Sequence, residues 1–317
     1  MHPAVEPERV GRLGVERLEH RRRIEHDGHG ASQRRRWHCT SVDRGRTTRG
    51  VPVAEAPATF VWSRDALVEQ DLEPHDELLV ADSWYISPTG EVRAVDAHRQ
   101  RFLAGIESSL AASALAPSAE EFWGAAVGRL RSFRSGPLFP RVEVASVDGR
   151  PELRLRVRVA PRRRESAVVA THEGADPRTV PRVKGPDLEH LIALRALAQE
   201  NGADELILLD AEGHVVDGSS SAVLWWRGET LVAPASDLAR VASVTARSIR
   251  LIATATGTRV VEERAHPADL EGCEVWVVSA LHGISVVDSW IDGPTVVVRP
   301  SRATTWRRRL RALSRPL

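Results

Sequence analysis

Gly202-Ala203-Asp204-Glu205-Leu206-Ile207-Leu208-Leu209-Asp210 is followed by Ala211-Glu212-Gly213-His214 and then by Val215-Val216-Asp217-Gly218-Ser219-Ser220-Ser221. Four consecutive aliphatic residues closed by Asp210 and a glycine-containing turn read as a strand and a reversal. The returning segment carries Asp217 and three serines into a second apolar strand, Ala222-Val223-Leu224-Trp225-Trp226, which turns at Arg227-Gly228. An aspartate in such a hairpin is ordinarily a turn former, because its short side chain bonds nearby backbone amides. A carboxylate where a buried strand pair opens can instead face a pocket. Both readings stand on these residues alone.

Outward toward the N-terminus lies an amphipathic helix, Leu188 to about Glu200, preceded by Val183-Lys184-Gly185-Pro186-Asp187. Lys184 is the single lysine of 317 residues; the other 43 strongly basic residues are arginine. Arginine can replace lysine as a solvated cation. It cannot do so where a deprotonatable amine is needed, because the guanidinium stays protonated and forms no Schiff base. Lys184 is therefore either a leftover surface cation or an amine kept for covalent chemistry.

Further out, Thr59–Trp62 and Glu77–Ile86 read as strands, the second turning at Ser87-Pro88-Thr89-Gly90 and returning through Glu91–Val95 as a hairpin. Asp96 can cap a helix through His98, Arg101 and Phe102 to about Leu115, and Ser118 with Glu121 forms a capping box for a second. Arg141–Val147 and Glu152–Val159 are strands around Asp148-Gly149. In the latter, Leu153, Leu155, Val157 and Val159 alternate with charged residues, which predicts one solvated face. Pro161-Arg162-Arg163-Arg164-Glu165 breaks the pattern, and Ala167–Ala170 resumes it as a buried strand. Beyond the central hairpin, Ser243-Val244-Thr245 opens a helix to about Thr256, with the start of an ordinary N-cap that could equally present amides to an anion. Arg259–Glu263 and Val275–Ser279 are strands, and Ser301 is expected to cap a basic terminal helix.

This order predicts an α/β (α+β) chain of two domains: a basic extension over 1–57, a small α/β domain over 58–160, a linker over 161–166 and a larger domain over 167–317. The first 50 residues carry 12 Arg against 7 Asp plus Glu, a net of +5, and 5 of the 12 histidines. With few apolar residues to offset ordering entropy they read as disordered. A nucleic-acid arm is the alternative, poorly served by clusters lacking interleaved aromatics apart from Trp37; a histidine metal site lacks a ligand framework, and no metal is expected. Cys39 and Cys273 are too few for a disulfide framework. No apolar run reaches the roughly 20 residues of a membrane helix, no secretory signal is expected from the first residues, and a net charge of +1 gives no general case for nucleic acid. A cytoplasmic location is the expectation.

Taken together, Lys184, the Gly202–Ser221 run, His98-x-x-Arg101-Phe102 and Val244-Thr245 resemble the fold-type IV pyridoxal 5′-phosphate (PLP) enzymes. These are the class IV aminotransferases, branched-chain and D-amino-acid aminotransferases, together with aminodeoxychorismate lyase. The resemblance covers about residues 58–300. It implies a small α/β domain, a larger β-barrel-like domain with helices, PLP as cofactor and a homodimer. It also implies that Lys184 forms the Schiff base and moves the Cα proton, and that Asp217 pairs with the pyridinium nitrogen. Arg101, Val244, Thr245 and Ser279 are then the phosphate-binding residues, and Ser83 a candidate for proton transfer. Where the family usually has glutamate, this chain has Asp217, and Ser243 replaces a glycine. The implied reaction is amino transfer between an amino acid and a 2-keto acid. The alternatives are the lyase, which releases pyruvate to give 4-aminobenzoate, and a scaffold that no longer catalyses.

Overall fold

The computed structural model describes residues 56–71, 77–109, 115–133 and 136–317. The expectations for the N-terminal extension, including its histidines and the start of the Pro-rich linker, lie outside the described residues, as does the stretch just before Leu115.

Two sheets organise the rest. The first has the order β2-β1-β6-β5-β3, built from β1 (Ala58–Ser63), β2 (Ala66–Glu69), β3 (Glu77–Ser83), β5 (Arg141–Val147) and β6 (Arg150–Val157), all antiparallel. Helices α1 (Val95–Ser109) and α2 (Ala116–Leu130) supply Phe102, Ile106, Phe122, Trp123 and Leu130 to the core over this sheet, where they meet Phe60, Trp84, Val142 and Leu155.

The second sheet has the order β12-β11-β10-β13-β14-β7-β8-β9. Its strands are β7 (Ser166–Thr171), β8 (Glu205–Leu209), β9 (Val215–Gly218), β10 (Ala222–Arg227), β11 (Thr230–Pro234), β12 (Val260–Glu263), β13 (Glu274–Ser279) and β14 (Gly283–Ile291). Edge strand β9 also touches β10 and β11, so the sheet curls on itself in the expected barrel-like manner. Strand β7 sits between β14 and β8, parallel to both. Helices α3 (Leu188–Glu200), α4 (Val244–Ala255) and α5 (Pro300–Arg311) complete this part. Trp226, Trp276 and Trp306 meet edge to face between the sheet and α5.

Several local expectations need correction. Strand β4 (Glu91–Arg93) turns back on the segment after β3 as the expected tight hairpin, through the Ile86–Val92 bridge and the Ser87 amide on the Glu91 carbonyl, but its ladder partner is the terminal strand β15 (Ser314–Pro316). Helix α2 begins at Ala116 without a side-chain cap, with proline in its first turn, so the Ser118–Glu121 pair lies inside the helix. Likewise α5 is preceded by Arg299 rather than capped by Ser301. The charged face of β6 is not solvated throughout: Arg154 is 2% exposed and pairs with Glu152.

Candidate active site

Lys184 stands in the loop that leads from β7 to α3, and two close contacts fix it. Its carbonyl accepts the Ala81 amide of β3 at 2.6 Å. Gly185 follows at φ +141°, and a Cβ there would lie 2.8 Å from the backbone of Val80 and Ala81. Only glycine permits both the dihedral and the approach. The half-buried Lys184 amine is lowered to about 8, first by burial and then by Arg101, while Asp82 and Asp217 oppose the shift. An amine near 8 is about one tenth free base at pH 7 and half free base at pH 8, far more than an ordinary lysine.

A cavity of about 310 Å³ holds Lys184 together with Ser83, Arg101, Asp217, Val244, Thr245 and Ser279, so all seven sequence candidates line one space. A wider groove of about 900 Å³ along α1 and α4 shares Arg101, Lys184 and Val244 with it.

Asp217 enters from β9, opposite Leu208 of β8. Its carboxyl is pushed up to about 7 by burial, with Glu205 adding to the rise, against the pull of Arg178 and Arg240. Arg178 reaches Oδ2 at 3.4 Å but is itself clamped on Asp176; Oδ1 of Asp217 is buried without a hydrogen-bond partner. Such an oxygen is costly unless a donor meets it. Of the serines that follow, Ser219 and Ser220 are turned away from Asp217 to the buried carboxylate of Glu205.

Arg101 projects from α1. Its Nε and Nη2 donate to Asp82 at 2.8 and 2.9 Å, and Nη1 donates to the Ala242 carbonyl just before α4. Asp82 has no exposure and also meets His98 Nδ1 at 2.8 Å. Burial would raise Asp82, yet Arg101 and His98 overcome it and hold the carboxyl well below its ordinary value. Burial, Arg101 and Arg93 keep His98 below the usual histidine range, so the neutral ring donates through Nδ1 to the ionised Asp82. Ser83, next in β3, gives its amide to Asp82 as well.

At the start of α4 the Ser243 hydroxyl takes the Ala246 amide. Val244 and Thr245 are the first two helical residues, whose amides have no intrahelical acceptor. Thr245 is 1% exposed, and its Oγ1 accepts from Arg93 Nη2 at 3.2 Å. Across the cavity Ser279 ends β13, and its hydroxyl takes the His282 amide.

Several lining residues were not foreseen. Arg178 comes from an irregular loop with no motif around it. Arg141 and Arg158 enter from the β5 and β6 side, and Arg158 is lowered to about 10 by burial and then by Arg141. In so arginine-rich a chain, only spatial crowding distinguishes them. Tyr85, the single tyrosine, lies under the Arg163 guanidinium at 4.6 Å and does not line the cavity.

The sequence profile of the amino-transferase class IV family matches residues 80–290. No curated protein matches the chain in sequence. Solved structures share the fold at low identity. A fold IV-transaminase, CpuTA1, from Curtobacterium pusillum is 17% identical with a TM-score of 0.67, covering 81% of this chain and 97% of that one. The PLP-bound form of a hypothetical aminotransferase from Mycobacterium tuberculosis is 19% identical with a TM-score of 0.68, covering 81% and 98%. A branched-chain aminotransferase from Thermoproteus uzoniensis, with norvaline, is 21% identical with a TM-score of 0.66, covering 81% and 95%.

Proposed function

Because the chain belongs to the amino-transferase class IV family, we propose that it is a PLP-dependent aminotransferase moving an amino group between an amino acid and a 2-keto acid. The observation that carries this reading is the convergence of the only lysine, the partnerless Oδ1 of Asp217 and the start of α4 on one cavity. These residues fit the cofactor. Asp217 offers a buried acceptor for a protonated ring nitrogen, and the amides of Val244 and Thr245 suit a phosphate. Lys184 supplies the amine that would hold the aldehyde carbon.

When bound, PLP supplies the electron sink that makes a substrate Cα proton removable. Asp217 would keep a ring nitrogen protonated, and Lys184, with its lowered basicity, would take the proton from the substrate Cα and hold it as the ammonium. Asp82 holds Arg101 in place toward α4, and Ser83 stands beside them as a hydroxyl for proton relay. Arg141 and Arg158 give the cavity the positive field that a carboxylate-bearing substrate needs. Exposed Ile192 and Leu197 on α3, the former also lining the cavity, support a homodimer in which a second copy covers that face.

The test is direct. Purified protein incubated with PLP and borohydride should carry one reduced adduct, located by peptide mass spectrometry at Lys184 and absent in Lys184→Ala. With an amino donor, transfer should require a 2-keto acid acceptor. Pyruvate released from aminodeoxychorismate without an acceptor would select the lyase, and absence of any adduct would remove the cofactor reading.

A further inference from the structure

The residue expected to carry the charge toward a phosphate is already engaged. Arg101 spends Nε and one Nη2 hydrogen on Asp82 and one Nη1 hydrogen on Ala242. Asp82 is fully buried and ionised, so the pair is close to neutral as seen from the cavity. The start of α4 contributes roughly half a positive charge. A phosphate monoester brings about −1.5 to −2 at neutral pH, and Lys184 is not a firm cation near pH 8.

Arg93 stands one hydroxyl away. It lies on β4, where the ladder with β15 places it opposite Ser314. Its Nη2 donates to Thr245 Oγ1 at 3.2 Å, and its Nε is buried with no hydrogen-bond partner. Among the described residues no carboxylate pairs with it. It is lowered to about 10 by burial and by the neighbouring charge of Arg163. Behind it, a recess of about 130 Å³ is lined also by Arg163, Arg307 and Arg311, with Glu165 the one carboxylate. Arg163 and Arg311 are exposed and Arg307 pairs with Glu165, so of these cations it is Arg93 that is withdrawn from solvent without a carboxylate. Because Thr245 Oγ1 accepts from Arg93, the hydroxyl hydrogen is free to donate toward the cavity.

We propose that Arg93 is the second phosphate cation of this site, acting through the Thr245 hydroxyl to supply the charge that Asp82 withdraws from Arg101. The inference rests on the PLP reading above. It makes Arg93 a positioning residue that sets the preference for phosphorylated over unphosphorylated pyridoxal.

The experiment measures dissociation constants of PLP and of pyridoxal for the full-length apo protein by absorbance titration, in the wild type, Arg93→Met, Arg93→Lys and Thr245→Val. Inorganic phosphate is titrated in parallel by thermal shift. In Arg93→Met, PLP affinity should fall about tenfold or more, the scale of a lost charge-assisted contact, while pyridoxal affinity stays within about twofold. Arg93→Lys should recover part of the PLP preference. Thr245→Val should lose it, and adding Arg93→Met to Thr245→Val should cost less than in the wild type. The wild type should be stabilised by inorganic phosphate and Arg93→Met should not. If the wild type binds PLP and both Arg93 variants keep its PLP-to-pyridoxal ratio, this inference alone is overturned. If Arg93→Met does not fold, an unchanged ratio in Arg93→Lys and Thr245→Val overturns it equally. A wild type that binds neither PLP nor phosphate overturns both this inference and the cofactor reading.

Discussion

Asp82 and Arg101 form a two-point ion pair, Oδ2 to Nε at 2.8 Å and Oδ1 to Nη2 at 2.9 Å, with the carboxylate wholly removed from solvent. The pair fixes the guanidinium and at the same time masks it. Asp82→Asn keeps the shape and removes the mask. The apo protein should lose about 3 kcal/mol or more in urea unfolding, because one partner of a buried pair is left uncompensated. Phosphate should then stabilise the variant more than it stabilises the wild type. A variant equally destabilised but with no larger phosphate effect would show that Arg101 does not face the anion.

Gly185→Ala is expected to be severe although it adds one carbon. The φ of +141° is closed to a side chain, and the added Cβ would meet the backbone of Val80 and Ala81 rather than a movable side-chain end. A loss on the order of 3 kcal/mol or more is expected, with borohydride-trapped PLP on Lys184 falling further than the folded fraction. Chemical denaturation and adduct yield on the same sample separate the two effects.

Lys184 provides its own reporter. As the only ε-amine, it gives a single side-chain signal after reductive ¹³C-methylation, separable from the α-amine. Its titration midpoint in the apo protein should lie near 8. Arg101→Met should raise it, and Asp82→Asn should lower it. With a folded pKa below the unfolded 10.5, the native state binds fewer protons between about pH 8 and 10.5. Its contribution to stability therefore rises with pH across that window.

Asp217 has the opposite sign. Its folded pKa near 7 exceeds the ordinary aspartate value of 3.8, so the native state holds more protons between them. Stability falls as pH climbs from about 4 to 7. Asp217→Asn should abolish this slope and match the wild type at pH 4. At pH 8 it should exceed the wild type by on the order of 2–4 kcal/mol, while losing cofactor affinity. Urea midpoints at the two pH values decide the matter.

Elements defined by local pattern were legible in the sequence. Helix α3 runs Leu188–Glu200 as the periodicity indicates, Ser243 caps α4, and the candidates from Ser83 to Ser279 line one cavity. What was not legible depends on partners far along the chain. Arg93 and Thr245 are 152 residues apart, and the β4–β15 ladder that positions Arg93 joins the first sheet's neighbourhood to the last three strand residues. A terminal Ser-Arg-Pro has no strand pattern of its own; it is extended because β4 offers a free edge. Arg154 breaks the alternation rule for β6 by ion pairing instead of reaching water. The burial of Asp82 could not be read either, because an aspartate in β3 is exposed or enclosed according to where α1 lies.

The hydrogen bond from Ala81 to the Lys184 carbonyl has a mechanical consequence. It makes the lysine's backbone an extension of the strand that carries Asp82 and Ser83, so these groups behave as one fixed jaw. Arg101, held by Asp82, belongs to the same jaw and reaches across to Ala242. Any widening of the cavity that preserves these bonds must come from other lining elements, β9 and the Ser279–His282 turn among them. The distance between base and carboxylate would then be set by how β9 and that turn move, while Lys184 stays still.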